Sequence, residues 1–273
     1  MTVYPTPEPI RLILRIPKGR IEITTTDTQE TTVDVQRTDA AGAWLAGDED
    51  VRVAFRESRR GPGQLLAIVD RNRHGWFSKN ASFDVRIETP NGAQVEVVTA
   101  SAEVAGTGTF ESVNARTASG DVTFENVTGG VRIKSASGDV RVHESKGSAN
   151  LASTSGAIRV GTAEGHVTAS LVSGDFQVDE VADGITARTV SGDISVQAVD
   201  RGAVDLNSVS GDAIIAVRPG KRVWMDVTST TGDTFCDLDT SDAGGASGGK
   251  ADVDIRVKTV SGDVRILRSA AAV

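Results

Sequence analysis

The 273-residue sequence predicts an all-β protein, a single-chain β-solenoid or stacked-strand rod built from 18-residue, two-strand repeats, and three observations predict it. Ser-Gly-Asp or a near variant begins at Ser119, Ser137, Ser155 (as SGA), Ser173, Ser191 and Ser210, and recurs at Thr231 and Ser261. The first five copies are 18 residues apart, the next interval is 19, and the last two stretch to 21 and 30. A second glycine falls midway in each interval, at Gly130, Gly147, Gly165, Gly184, Gly202 and Gly220, so each repeat has two corners and two strands. Composition agrees: 29 Gly and 4% aromatics suit many short strands and tight turns around a narrow interior better than a thick Leu/Phe core.

The strands follow from parity. After each Asp, apolar residues alternate with polar ones: Val122 and Phe124, Val140 and Val142, Ile158 and Val160, Phe176 and Val178, Ile194 and Val196. The half after the second corner alternates too, through Val131 and Ile133, Val167 and Ala169, Ile185 and Ala187, Val204 and Leu206. Period-two alternation with one apolar face marks a half-buried strand. One 18-residue unit cannot bury that face alone, so successive units must stack, advancing about 4.8 Å each. Small residues such as Ala115, Ala149, Ala169 and Ala187 fit the interior expected.

The corner residues have structural work to do. Extending strand parity through the motif puts Ser119, Ser137, Ser155, Ser173 and Ser191 on the inward track, with hydroxyls satisfying backbone groups at the bend, and Ser210 opens the next turn of the same kind. Gly120, Gly138, Gly174, Gly192 and Gly211 are expected at positive φ, and Asp121, Asp139, Asp175, Asp193 and Asp212 to cap nearby turn N–H groups. Carboxylates stacked about 5 Å apart repel by roughly 3 kcal/mol per neighbouring pair at an effective dielectric near 20, so the column needs such donors. Ordered calcium is the competing explanation, but the Gly-Gly-x-Gly-x-Asp spacing of calcium-binding β-rolls is absent and Ala157 interrupts the column.

Residues 1–98 follow looser rules and are expected to form an irregular β cap continuous with the repeat region, 99–273, one structural unit overall. Strands are expected in IPKGRIEI, VRVAFR, QLLAIV, FDVRIET and TPNGAQVEV, with Trp44, Trp76 and Phe77 as larger packing residues and a long loop from Arg71 to Lys79. The insert Asp239 to Lys250 reads as a surface loop, and the C-terminal end of the stack as TVSGDVRILRS, guarded by Arg265 and Arg268.

The register-true Ser-Gly-Asp-Val corners and the prelude FDVRIETPNGAQVEVVTASAEV resemble a bacterial β-strand-repeat family of unknown function, provisionally labelled adhesins and related to toast-rack domains. The resemblance is most specific from Phe83 to Val217. It implies stacked strands, a role at the cell surface for some relatives, and no catalytic residues to carry over.

Function is therefore expected to be that of a non-enzymatic scaffold without cofactor or metal, presenting repetitive sheet faces to a protein or envelope partner or to a second copy. The residue before each motif Ser runs Ala118, Ala136, Thr154, Val172, Val190, Val209 and finally Val260, growing apolar toward the C-terminus; parity carried to the corner makes it an outward contact ridge, and burial under the neighbouring turns is the equal alternative. A basic cluster, Arg56, Arg59, Arg60, Arg71, Arg73 and Lys79, is the other candidate contact. The alternative is a carbohydrate-binding or carbohydrate-active β-helix using outward Glu125, Arg141, His143 and Arg159. His143, His166 and His74 make a poor metal set. A net charge of −8 opposes nucleic acid, and no run approaches the roughly 20 apolar residues that span a bilayer. The lone Cys236 allows no intrachain disulfide, and MTVYPTPEPIRLIL lacks the pattern of an export signal, so a cytoplasmic location is expected.

Overall fold

The alternation seen in the sequence becomes a stack of parallel strands. A computed structural model describes residues 1–38, 51–56, 65–70, 82–238 and 251–269, and every regular element among them is a strand. Two compact units divide the chain, Met1–Val140 and Arg141–Val273.

In the second unit each strand lies on its equivalent one repeat away. Ala149 pairs with Val167, Val167 with Ile185, and Ile185 with Val204 on one side. Ile158 pairs with Phe176, Phe176 with Ile194, and Ile194 with Ala213 on the other. These registers are the sequence period made physical. Inward residues stack on inward residues: Val160, Val178, Val196 and Ile215 form one such column, all at most 1% exposed. Burial of each such aliphatic side chain contributes about 1.5–3 kcal/mol, enough for a narrow interior of Val, Ile and Ala to hold the coil closed.

Chain order and stacking order part at the C-terminal end. Gly202–Ser210 pairs with Val253–Thr259, and Ala213–Val217 with Val264–Arg268. Val223–Ser229 and Thr234–Cys236 lie on the far side of those same two strands. The last coil in sequence is thus an inner coil, and residues 223–236 form the end coil among those described. The expectation that TVSGDVRILRS forms the end is overturned. Arg265 and Arg268 flank an interior position, because Val264 and Ile266 are buried between two neighbouring coils.

The first unit uses the same device in reverse. Arg11–Ile16 is sandwiched between Leu65–Asp70 and Ala93–Thr99, while Gly19–Thr26 is sandwiched between Ser82–Pro90 and Glu103–Thr117. The first coil in sequence is therefore an inner one. Beyond it, Glu30–Thr38 runs antiparallel to Ser82–Pro90, Thr2–Pro5 antiparallel to Glu30–Thr38, and Val51–Arg56 antiparallel to Leu65–Asp70. Antiparallel strands at this edge break the repeat that another parallel coil would need. A buried hydroxyl chain, Thr6 to Thr31 at 2.8 Å and Thr31 to Thr89 at 3.0 Å, ties three of these segments together. The 15-residue strand Glu103–Thr117 turns a corner near Gly108 and serves both sides, and Phe110 and Phe124 meet edge to face at 5.3 Å inside it. Trp44, Trp76, Phe77, the expected 71–79 loop and the 239–250 insert lie outside the described residues.

Candidate interaction surface

Each corner begins with an inward residue three positions before the motif glycine. Thr117, Ser135, Ser153, Thr189, Ser208 and Thr259 are all buried there. The chain then bends, so the next residue and the motif Ser both face solvent: Ser119, Ser137, Ser155, Ser173, Ser191 and Ser210 are exposed. The expectation that the first five of these serines point inward fails, because strand parity stops at the bend and cannot be extended through it. The glycine itself takes the inward place. Gly138 lies on the Gly120 carbonyl, Gly192 on Gly174, Gly211 on Gly192 and Gly262 on Gly211, each so close that a Cβ would overlap the neighbouring backbone.

Two corner conformations share this plan. In the earlier copies the corner N–H stays within its own coil: Gly120 N donates to Thr117 Oγ1 at 2.9 Å, and Gly156 N to Ser153 Oγ at 2.9 Å. Ser135 works in the other direction, donating to the Gly138 carbonyl at 2.7 Å. From Ser173 onward the corner is extended. Gly174, Gly192 and Gly211 have φ of 153°, 134° and 130°, and their N–H groups donate to Ser191, Ser210 and Ser261 carbonyls of the next coil at 3.1 Å. Positive φ is thus found at Gly174, Gly192 and Gly211, whereas Gly120 and Gly138 lie outside the left-handed region. The price of the extended form is visible in the hydroxyls of Thr189, Ser208 and Thr259, which are buried without a hydrogen-bond partner.

This second corner explains the valines. β-branched side chains favour extended backbone, and Val replaces Ala or Thr where the strand runs through the corner, as in Ile185–Ser191 and Gly202–Ser210. Val172, Val190, Val209 and Val260 consequently stand outward on successive coils, 50, 50, 48 and 50% exposed. Backbone bonds lock their spacing: Ser191 N donates to the Val172 carbonyl at 2.8 Å and Ser261 N to the Val209 carbonyl at 2.9 Å. At about 4.8 Å per coil the ridge is about 15 Å long.

The Asp column runs beside it, and its capping is between coils rather than within the turn. Asp175 Oδ1 accepts the Asp193 N–H at 3.0 Å, Asp193 Oδ1 that of Asp212 at 2.8 Å, and Asp212 Oδ1 that of Asp263 at 2.9 Å. Asp263 accepts the Asp233 N–H at 3.0 Å, and in the first unit Asp121 accepts that of Asp139 at 2.9 Å. Charge-assisted bonds of this kind offset the repulsion between neighbouring carboxylates. Among the described residues no group of three or more His, Cys, Asp or Glu is placed to hold a metal ion.

The outward residues of the carbohydrate alternative serve locally. Glu125 accepts the Gly108 N–H at 2.7 Å and so holds the bend of the long strand. His143, Arg141 and Arg159 are exposed, and His166 Nε2 lies 3.1 Å from Thr186 Oγ1. A polar depression of about 480 Å³ in the first unit includes Arg20, Glu22, Arg86 and Glu103 in its lining. Those charges are already paired, Arg20 with Glu103 at 3.1 Å and Arg86 with Glu22 at 3.0 Å. Of the basic cluster, Arg56 is exposed, while Arg59, Arg60, Arg71, Arg73 and Lys79 lie outside the described residues.

Sequence reasoning passed over the end coil. Trp224, Met225 and Phe235 are 47, 37 and 56% exposed, and Cys236 is exposed beside them. The signal was the loss of alternation in VWMDV, where apolar residues occupy both parities. Two clasps tie this coil down: Asp252 accepts the Arg222 backbone N–H at 3.0 Å and its guanidinium at 3.3 Å, and Lys221 pairs with Asp200 at 2.8 Å. Hydrogen bonding to Arg222 holds the Asp252 carboxyl below its ordinary pKa, and hydrogen bonding to Lys221 does the same for Asp200.

A profile of the family described as Toastrack DUF4097 matches residues 10–217 and 172–267. A solved structure from Clostridium sporogenes, provisionally described as a cell adhesion protein, is similar over 98% of each chain at 8% identity and a TM-score of 0.26. No curated protein matches the sequence. No helix among the described residues is long and apolar enough to cross a membrane.

Proposed function

The chain belongs to the Toastrack DUF4097 family, and from that premise we propose that it is a non-enzymatic interaction scaffold whose contact surface is the valine ridge of the second unit. The observation that carries this reading is the stacking of Val172, Val190, Val209 and Val260, half exposed on consecutive coils with their backbones held in register. A rigid array orders its contact residues before binding, so little conformational entropy remains to be lost on association. Four half-exposed valines fall short of the roughly 800 Å² per partner of a standard interface, so the ridge is the anchor of a wider face. The Asp column beside it favours a protein partner whose apolar stripe is flanked by Lys or Arg. In this reading the scaffold works in the cytoplasm, which cell fractionation checks.

A photo-crosslinking side chain placed at position 190 in cells, compared with one at the exposed outward position 197, tests the assignment. A discrete adduct from 190 that disappears when Val172 and Val209 are changed to Lys is the expected result. Equal adducts from both positions would remove the ridge from consideration. Turnover of a polysaccharide that is abolished by His143→Ala would overturn the non-enzymatic reading altogether.

A further inference from the structure

The end coil of the second unit is built differently from every coil beneath it. Val223–Ser229 pairs only with Val253–Thr259, and Thr234–Cys236 only with Val264–Arg268, among the described residues. Each strand therefore has one edge whose backbone groups face away from the stack. Register puts Val223, Met225 and Val227 directly over Val253, Ile255 and Val257, which are at most 1% exposed, so these three are the inward set of the coil. Nothing among the described residues covers them in turn: Met225 is 37% exposed at a position where its equivalents below are buried. Across the coil, Cys236 Sγ lies 3.8 Å from Met225 Sδ, which fixes Met225 and Cys236 as facing inward positions of the two strands. On the outer faces, Phe235 is 56% exposed and Trp224 47%, the latter with the Arg256 guanidinium 5.3 Å from its ring centre.

We propose that this end is a self-association surface, and that two copies of the chain pair their Val223–Ser229 strands antiparallel about a two-fold axis through Met225 and Cys236. The strand is self-complementary in that register. Val223 falls opposite the partner's Val227, Met225 opposite the partner's Met225, and Trp224 opposite the partner's Asp226, so apolar inward residues meet each other and no like charges are opposed. A one-residue slip would set inward against outward side chains, and a two-residue shift centred on Asp226 would oppose two carboxylates. The same axis sets Cys236 opposite the partner's Cys236, because Cys236 touches Met225 across the coil. Two-fold pairing also closes. It consumes the open edges of both end coils, so this contact adds no third copy.

Directly opposed antiparallel residues have Cβ atoms about 4.5–5.5 Å apart, near the span a disulfide bridges, so Cys236 reports the interface. The experiment uses the full chain. Light scattering under reducing conditions across a concentration series should give twice the chain mass, and mild oxidation should link two chains through Cys236. That linkage should form about tenfold or more faster in the native protein than in the urea-unfolded chain at equal concentration. Cys236→Ser should keep the doubled mass and lose the link. Met225→Lys, a change at an exposed position of the single chain, should return the mass to one chain and slow linkage to the unfolded rate. A single-chain mass at every concentration overturns the proposal, as does native linkage no faster than in urea. A dimer that survives Met225→Lys and is dispersed by Val190→Lys overturns it equally, and assigns association to the ridge instead.

Discussion

Ser153 and Ser208 occupy the same position of the repeat in the same unit, yet their hydroxyls have opposite fates. Ser153 Oγ accepts the Gly156 N–H at 2.9 Å in a buried bond. Ser208 Oγ is buried with no partner, because the Gly211 N–H donates at 3.1 Å to the Ser261 carbonyl of the next coil. Replacing each by Ala removes one oxygen and changes nothing else. For Ser153→Ala the bond is lost and a buried N–H is stranded, a cost of about 1–3 kcal/mol. For Ser208→Ala no bond is lost and an unpaired hydroxyl leaves the interior, which favours the folded state by about 1 kcal/mol less a small cavity cost. The two variants should therefore differ by about 2–4 kcal/mol, or several degrees of melting temperature for a domain of this size. Urea titration followed by far-UV circular dichroism measures both, and unchanged slopes confirm that the same transition is compared. Equal destabilisation by the two changes would refute the distinction between the two corner conformations. Thr117→Val and Thr189→Val repeat the comparison with isosteric side chains, since Thr117 accepts the Gly120 N–H and Thr189 has no partner.

Gly192→Ala should cost well over 1 kcal/mol, because φ is 134° and the new Cβ would overlap the Gly174 carbonyl; Gly220→Ala, at φ 78° with open space around it, should cost only about 1 kcal/mol by thermal melting. In the Asp column, Asp193→Ala removes the acceptor for the Asp212 N–H and should destabilise by about 1 kcal/mol, whereas Asp193→Asn keeps an acceptor and relieves repulsion, leaving stability within about 0.5 kcal/mol. Equal losses from both variants would mean that charge, not the bond, is what matters there. The Asp252 clasp is pH-dependent: its folded pKa is depressed by Arg222, so its contribution is complete above the ordinary carboxylate pKa of 3.8 and is lost as pH falls through the lower folded value. The melting gap between wild type and Asp252→Asn should accordingly close on acidification through that window, and a gap constant with pH would show that the clasp contributes nothing.

What the sequence determined by itself was everything that depends on the covalent pleat and on repetition. Side chains alternate because successive Cβ atoms point to opposite faces, so Val122, Phe124, Ile158, Val178 and Ile194 were legible as interior, and all are at most 1% exposed. The period gave the register, and parity offered the valines an outward place that only the tertiary structure separates from burial under the neighbouring turns. Tertiary structure alone decided the rest, because it depends on what lies one coil away. Whether Gly174 or Gly120 adopts positive φ goes with which acceptor receives its N–H, its own coil's hydroxyl or the next coil's carbonyl. Where Ser173 points is set by the bend, at which parity lapses. The order of coils is open to the sequence for a related reason: every coil offers its neighbours nearly the same edge. Val253–Thr259 can lie on Gly202–Ser210 as readily as Val223–Ser229 can, and only the burial of Val253, Ile255 and Val257 on both sides settles which goes inside. The coil left outside is the one whose alternation had already failed: Met225 lies over the buried Ile255, while Trp224 and Phe235 stand on its outer faces opposite Asp254 and Arg265.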